Sequence, residues 1–103
     1  MQFRIKSKNI DLSNSTQKAV ERCVRLVLSR FANRIGRVIV RLERIDSVHG
    51  PARISCRLTV QARSGVVVVE ALETNLKTAV ERASGRDGDS IARKLLYRKP
   101  NAA

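Results

Sequence analysis

A segment in the middle of the chain alternates strictly between apolar and polar side chains. Its apolar set is Ile54, Cys56, Leu58, Val60 and Ala62, and its polar set is Arg53, Ser55, Arg57, Thr59, Gln61 and Arg63. Because successive side chains of a strand point to opposite faces, this period of two predicts a half-buried β-strand. No helical spacing fits the pattern. The chain is therefore expected to build a sheet that is covered on one face only.

Three other segments carry strand signals. Phe3 and Ile5 alternate with polar residues over positions 2–6, which predicts the first strand. After a turn at residues 33–36, a second strand ends near Asp46, and its apolar face is formed by Val38, Val40 and Leu42. Ser64-Gly65 favours a hairpin, and the β-branched run at positions 66–69 predicts a fourth strand antiparallel to the third.

Two helices are predicted, each preceded by a capping residue. Ser13 can cap a first helix that runs from Asn14 to Ala32, with a buried stripe of Val20, Val24, Val27 and Phe31. Asn75 can cap a second helix that reaches towards Arg98 before Pro100, with a buried face of Leu76, Val80, Ala83 and Ile91.

The predicted fold class is α+β in the order β-α-β-β-β-α, a four-stranded mixed sheet with two helices packed on one face. The first two strands are expected to be parallel neighbours joined by a right-handed crossover, and strands two to four form a meander. The 103 residues allow a single domain. We place it at residues 1–99, with a frayed tail at residues 100–103.

The charge balance points to a polyanionic partner. The chain has 21 Lys and Arg against 9 Asp and Glu, which gives +12 at pH 7. Nucleic acid is the expected partner, because each phosphate that a protein neutralises releases condensed counterions. No apolar run is long enough to span a bilayer, and no signal-peptide pattern precedes the first strand, so we expect a cytoplasmic protein without a membrane partner.

Basic residues follow helical spacing on both predicted helices. Lys18, Arg22 and Arg25 lie opposite the apolar face of the first helix, and Arg82, Arg86 and Arg93 form a stripe on the second, where Asp89 takes one position. A solvated helix face explains such stripes in most proteins. With this net charge we favour phosphate binding. The predicted RNA-binding residues are Lys18, Arg22, Arg25, Arg82, Arg86, Arg93 and Lys94.

Other chemistry has little support in the sequence. His49, the only histidine, lies in a predicted loop without a nucleophile motif beside it. Asp87 and Asp89 lack the further acidic ligands of a calcium loop, and Cys23 and Cys56 are not spaced as zinc ligands. Both cysteines are expected to be buried small apolar side chains. We therefore predict no enzymatic activity, no cofactor, no metal and no small-molecule substrate.

Several local motifs, in their order and spacing, resemble the short ribosome hibernation-promoting factors, also called ribosome-associated inhibitor or sigma-modulation proteins. The motifs are Met1-Gln2-Phe3-Arg4-Ile5, Phe31-Ala32-Asn33-Arg34-Ile35, Val38-Ile39-Val40-Arg41-Leu42, His49-Gly50-Pro51, Cys56-Arg57-Leu58, Val68-Val69-Glu70-Ala71, Asn75-Leu76 and Ala79-Val80-Glu81. The resemblance covers nearly the whole chain. It implies a non-catalytic protein that enters the decoding region of the small ribosomal subunit, contacts ribosomal RNA and silences translation.

The family's RNA-facing positions match Arg22, Arg25, Arg82, Arg86 and Arg93 by pattern. Lys77 stands where the family usually has an aromatic residue, and Gly85 and Gly88 predict a kink or break in the second helix, since an interior glycine costs ~1 kcal/mol against alanine. Two alternatives stay open: a general double-stranded RNA-binding module and a protein-interaction module. The oligomeric state is not predicted.

Overall fold

The computed structural model describes residues 1–86, and it has the predicted architecture. The elements are β1 (Gln2–Lys8), α1 (Asn14–Leu28), a 3-10 helix (Ser29–Arg34), β2 (Ile35–Ile45), β3 (Arg53–Ala62), β4 (Gly65–Glu73), α2 (Leu76–Glu81) and a π-helical segment (Arg82–Arg86). The strand order is β1-β2-β3-β4, with β1 parallel to β2 and the other pairs antiparallel. The predicted α+β class and sheet topology are confirmed.

Side-chain alternation decides which sheet face the helices cover. Val38, Val40 and Leu42 of β2 are fully buried, as are Leu58 and Val60 of β3. Val24 and Leu28 of α1, Ala79 and Val80 of α2, and Ala83 of the π-helical segment pack against them. Because the polar residues of the same strands point the other way, the opposite sheet face is left in water.

Both predicted caps are present. The Ser13 side chain accepts a hydrogen bond from the backbone N–H of Thr16 at 3.2 Å, and the Asn75 side chain accepts one from Thr78 at 2.8 Å. Each cap satisfies a backbone N–H that a helix leaves unpaired at its start. α1 and α2 follow β1 and β4, which are parallel and finish at the same end of the sheet, so both helices begin there.

The first helix ends earlier than the sequence predicts. Its α-helical part stops at Leu28 rather than Ala32, and the next residues tighten into the 3-10 helix. Val27, predicted for the core, is half-buried, whereas Leu28 is fully buried. The i, i+4, i+8 stripe of Val20, Val24 and Leu28 faces the sheet, which turns Val27 to its border. The 3-10 turn then returns Phe31 to the core, where it is 5% exposed.

Three strands extend beyond their predicted bounds. β1 continues to Lys8, β2 begins at Ile35 within the predicted turn at residues 33–36, and β4 continues beyond the β-branched run to Glu73. The extension of β4 pairs in register with the first half of β3, where Glu70 lies opposite Arg57 and forms an ion pair with it. Cross-strand pairing, rather than local β propensity, determines this boundary.

The regular part of the second helix is short. It changes to π geometry at Arg82, before Gly85. The buried Ser84 hydroxyl donates to the Val80 carbonyl at 2.6 Å, which competes with the helical hydrogen bonding of that turn. Three predictions lie outside the described residues: the continuation of this helix to Arg98, the position of Ile91 on its apolar face, and the frayed tail at residues 100–103. No helix of residues 1–86 is long and apolar enough to cross a membrane.

Candidate nucleic-acid interface

The solvent face of α1 brings together three of the predicted RNA-binding residues. Lys18, Arg22 and Arg25 are exposed and line a hollow of about 570 Å³. Leu26, which is 70% exposed, forms part of its wall. Their i, i+4 and i+7 spacing places the three cations on one side of two helical turns, because neighbours on a helix surface are three or four residues apart. Glu21 also lines the hollow, so the helix presents three cations and one acid around a single shallow depression.

The guanidinium of Arg25 is held by two contacts. Its Nε donates to Glu21 Oε2 at 2.7 Å, and its Cζ lies 4.9 Å from the centroid of the Phe3 ring in β1. An exposed i, i+4 ion pair contributes only ~0.3–0.5 kcal/mol to stability. The Arg25 guanidinium can therefore leave Glu21 and bind a phosphate at little cost. The contact with Phe3 orients the side chain over the β1 edge of the sheet.

Arg82 is positioned by an acid that the sequence analysis did not single out. Its Nη1 is ion-paired with Glu73 Oε2 at the end of β4, where the Glu73 side chain is 20% exposed and that of Arg82 is 44% exposed. The guanidinium carries five N–H donors, so donors remain for a second partner. The pairing joins residues nine apart across a turn, so no helical spacing could have predicted it.

The two helices present their arginines at opposite borders of the helical layer. Arg25 lies over β1, the first strand in the sheet order, and Arg82 is tied to β4, the last. Three strand spacings separate those strands, roughly 14 Å. Phe3 and Glu73 also lie six register positions apart along the strands, roughly 20 Å. Any single partner that both arginines contact must therefore extend across the whole helical face.

The remaining predicted residues belong to the end of the chain. Arg86 is the last residue of the π-helical segment. Arg93 and Lys94, and the acidic position Asp89 in the predicted stripe, lie outside the described residues. These positions stay predictions.

The open face of the sheet is basic, as the alternation of the strands predicts. Lys6, Arg41 and Arg57 are exposed and stand side by side on neighbouring strands, and Glu70 ends the row. Like charges on adjacent strands repel one another, and only Arg57 has its charge balanced within the row, by Glu70. This face adds positive potential to the molecule.

The two cysteines do not form a reactive site. Both are free thiols, Cys56 is 1% exposed, and Cys23 is half-buried with its Sγ 3.7 Å from Ser84 Oγ. Burial, with a smaller contribution from Cys23, raises the pKa of the Cys56 thiol to about 12. It is therefore protonated and a poor nucleophile at neutral pH. The prediction of a buried small side chain is confirmed for Cys56.

Metal-binding chemistry has no support in the part of the chain that the structure describes. Within residues 1–86, no three His, Cys, Asp or Glu side chains form a group that could hold a metal ion. His49 is exposed in the turn between β2 and β3.

The fold is shared with two solved structures. The N-terminal domain of Protein Y from Thermus thermophilus superposes with a TM-score of 0.74 at 19% identity, over 90% of this chain and 98% of that one. A ribosomal subunit interface protein from Coxiella burnetii gives a TM-score of 0.73 at 11% identity, over 92% of this chain and 98% of that one. No protein-family model matches the sequence, and no curated protein matches it significantly. The structural neighbours match the family that the sequence motifs resemble, so that resemblance is confirmed at the level of the fold.

Proposed function

We propose that this protein is a non-catalytic factor that binds the small ribosomal subunit in its decoding region and silences translation. The observation that carries the proposal is the cationic hollow on α1, where Lys18, Arg22 and Arg25 converge on a fold shared with a ribosomal subunit interface protein. Its partners are the small subunit and its RNA, and its site of action is the cytoplasm.

The mechanism follows from charge and shape. Arginine guanidinium groups bind phosphate through two parallel hydrogen bonds. Phosphate contacts fix the position of the protein on the RNA without reading the base sequence. A body held in this way in the decoding groove excludes messenger and transfer RNA by occupying their space. Arg25 and Arg82 lie at opposite borders of the helical layer, so the face contacts RNA at two separated points. Arg86, Arg93 and Lys94 extend the second contact in this proposal.

A competition experiment tests the function. Small subunits carrying labelled transfer RNA are titrated with the wild-type protein and with the Lys18→Ala, Arg22→Ala, Arg25→Ala variant. We expect the wild type to displace the label and the variant to do so weakly, because the variant lacks three exposed cations that bind phosphate in this proposal. Simultaneous binding of the protein and transfer RNA would contradict occlusion.

Two further binding measurements separate the alternatives. Equal affinity for arbitrary RNA duplex and for small subunits would favour a general double-stranded RNA-binding module. Association with an acidic protein after nuclease treatment, without ribosome binding, would favour a protein-interaction module. Ribosome binding that greatly exceeds duplex binding supports the proposal.

A further inference from the structure

A second basic hollow lies at the end of the sheet where β1 and β2 begin, away from the start of both helices. It measures about 650 Å³, and its charged lining residues are Arg34, Arg37 and Arg63. Each comes from a different element: the end of the 3-10 helix, the start of β2, and the turn after β3. The backbone N–H of Arg63 donates to the Arg34 carbonyl at 3.1 Å, which ties two of these elements together.

A β-bulge directs Arg37 to this hollow. Ile35 pairs with Ala62 and Arg37 pairs with Gln61, so Gly36 is an extra residue in β2. Ile35 and Val38 are both buried, and the two residues between them are both exposed. Without the bulge, strict alternation from Ile35 would turn Arg37 towards the core. The irregularity thus places a guanidinium beside Arg34 and Arg63.

The charges of the hollow are not compensated locally. No acidic residue lines it, and no ion pair within residues 1–86 includes any of its three arginines. The side-chain amides of Gln2, Asn33 and Gln61 add neutral hydrogen-bond donors to the same surface. Three cations that repel one another in a concave site, surrounded by donors, are suited to an anion with several acceptor oxygens.

We propose that this hollow is a second phosphate-binding site, which takes the phosphodiester backbone of RNA. An extended backbone fits better than a mononucleotide, because no aromatic side chain lines the hollow to stack on a base. The chain also runs from the α1 hollow through the 3-10 helix directly to Arg34, so the two sites follow one another along the molecule. The choice of RNA rests on the proposed function.

The test compares two triple variants of the full chain. Arg34→Ala, Arg37→Ala, Arg63→Ala removes the hollow's charges, and Lys8→Ala, Arg44→Ala, Arg53→Ala removes three exposed charges at the opposite end of the sheet. Both lower the net charge by the same amount. Binding to small subunits is measured across a salt series. We expect the hollow variant to lose roughly tenfold in affinity for each lost charge-assisted contact, and about 0.7–0.9 log units of salt slope per phosphate.

The outcomes separate this proposal from the proposed function. Wild-type binding to small subunits, with the hollow variant indistinguishable from the control variant, overturns the hollow and leaves the function standing. If the wild type binds no subunit, the function fails, and the hollow is judged on a short unstructured RNA oligonucleotide. Weaker binding of that oligonucleotide by the hollow variant alone supports the site; equal binding overturns it. Displacement of the oligonucleotide by equimolar inorganic phosphate would assign the hollow to free phosphate and contradict the RNA backbone.

Discussion

Arg82, the first residue of the π-helical segment, is ion-paired with Glu73, the last residue of β4. The pair ties the second helix to the edge strand across the turn that joins them. It also neutralises part of the charge of a residue proposed to contact RNA. Glu73 therefore holds Arg82 in place and, in the proposed function, lowers the affinity of Arg82 for phosphate.

Removing the charge of Glu73 is expected to tighten binding to ribosomes. In Glu73→Gln, the amide can still accept a hydrogen bond from Arg82, but the full guanidinium charge becomes available to phosphate. Equilibrium binding to small subunits measures the gain. The matched control is Glu70→Gln, which frees Arg57 on the open sheet face. A larger gain for Glu70→Gln than for Glu73→Gln would place the RNA on the sheet face instead.

Arg22 and Arg25 are expected to differ in their contributions. Arg22 is exposed and takes part in no ion pair among the described residues, whereas Arg25 is paired with Glu21. Arg22→Ala should weaken ribosome binding by roughly tenfold, since one charge-assisted contact is lost. Arg25→Ala should cost less, because part of its charge is already balanced. Salt-dependent binding measures both, and Arg44→Ala, near the end of β2, is the control. Equal affinity of Arg22→Ala and wild type would exclude α1 from the interface.

Cys56 is expected to make the protein less stable at alkaline pH. Its thiol ionises near 9 in the unfolded chain but near 12 in the folded protein. Between those values the unfolded state binds fewer protons, so the free energy of unfolding falls as pH rises, with a slope approaching about 1.4 kcal/mol per pH unit. Below pH 9 the buried Cys56 thiol makes its full contribution to the free energy of unfolding.

Urea unfolding of the wild type and of Cys56→Ala at pH 8 to 11 measures the contribution of Cys56, because the alanine variant lacks the pH dependence that comes from this thiol. Cys23→Ala, which leaves Cys56 buried, should keep most of the slope. The same pH dependence in wild type and Cys56→Ala would show that the thiol ionises equally in both states.

Lys77 lies beside an unfilled cleft between α1 and α2. The cleft measures about 330 Å³, and its walls are largely apolar: Ala19, Val20, Cys23, Leu76 and Val80 line it with Thr16, Lys77 and Glu81. A phenylalanine at position 77 can cover it, and we expect Lys77→Phe to raise the free energy of unfolding by about 0.5–2 kcal/mol. Lys77→Ala is the control, since it removes the same charge and leaves the cleft open. Greater stability of the alanine variant would show that the ring does not enter.

Periodicity was sufficient to predict the sheet and its buried face. Val38, Val40 and Leu42 lie on the core side because alternation is a property of the strand itself. The crossover and meander followed from the order of elements, since a helix between the first two strands requires them to be parallel. Ser13 and Asn75 were identified because capping depends on one side chain and its nearest backbone.

The features that escaped prediction depend on contacts between distant residues. Leu28 rather than Val27 lies in the core because of where the sheet lies under α1. The length of β4 is determined by its register with β3. The pair of Arg82 with Glu73 and the convergence of Arg34, Arg37 and Arg63 join separate elements. No spacing along the chain encodes such pairs. The grouping of Lys18, Arg22 and Arg25 was predictable because all three residues share one helix; their part in RNA binding stays a prediction.

Sedimentation of the wild-type protein with ribosomes through sucrose, across a series of salt concentrations, tests ribosome binding, on which the whole proposed function depends. We expect the protein to travel with small subunits at low salt and to be released progressively as salt rises, because phosphate contacts dominate the binding. Recovery of the protein only at the top of the gradient at low salt would contradict ribosome binding and leave a small basic domain with another partner.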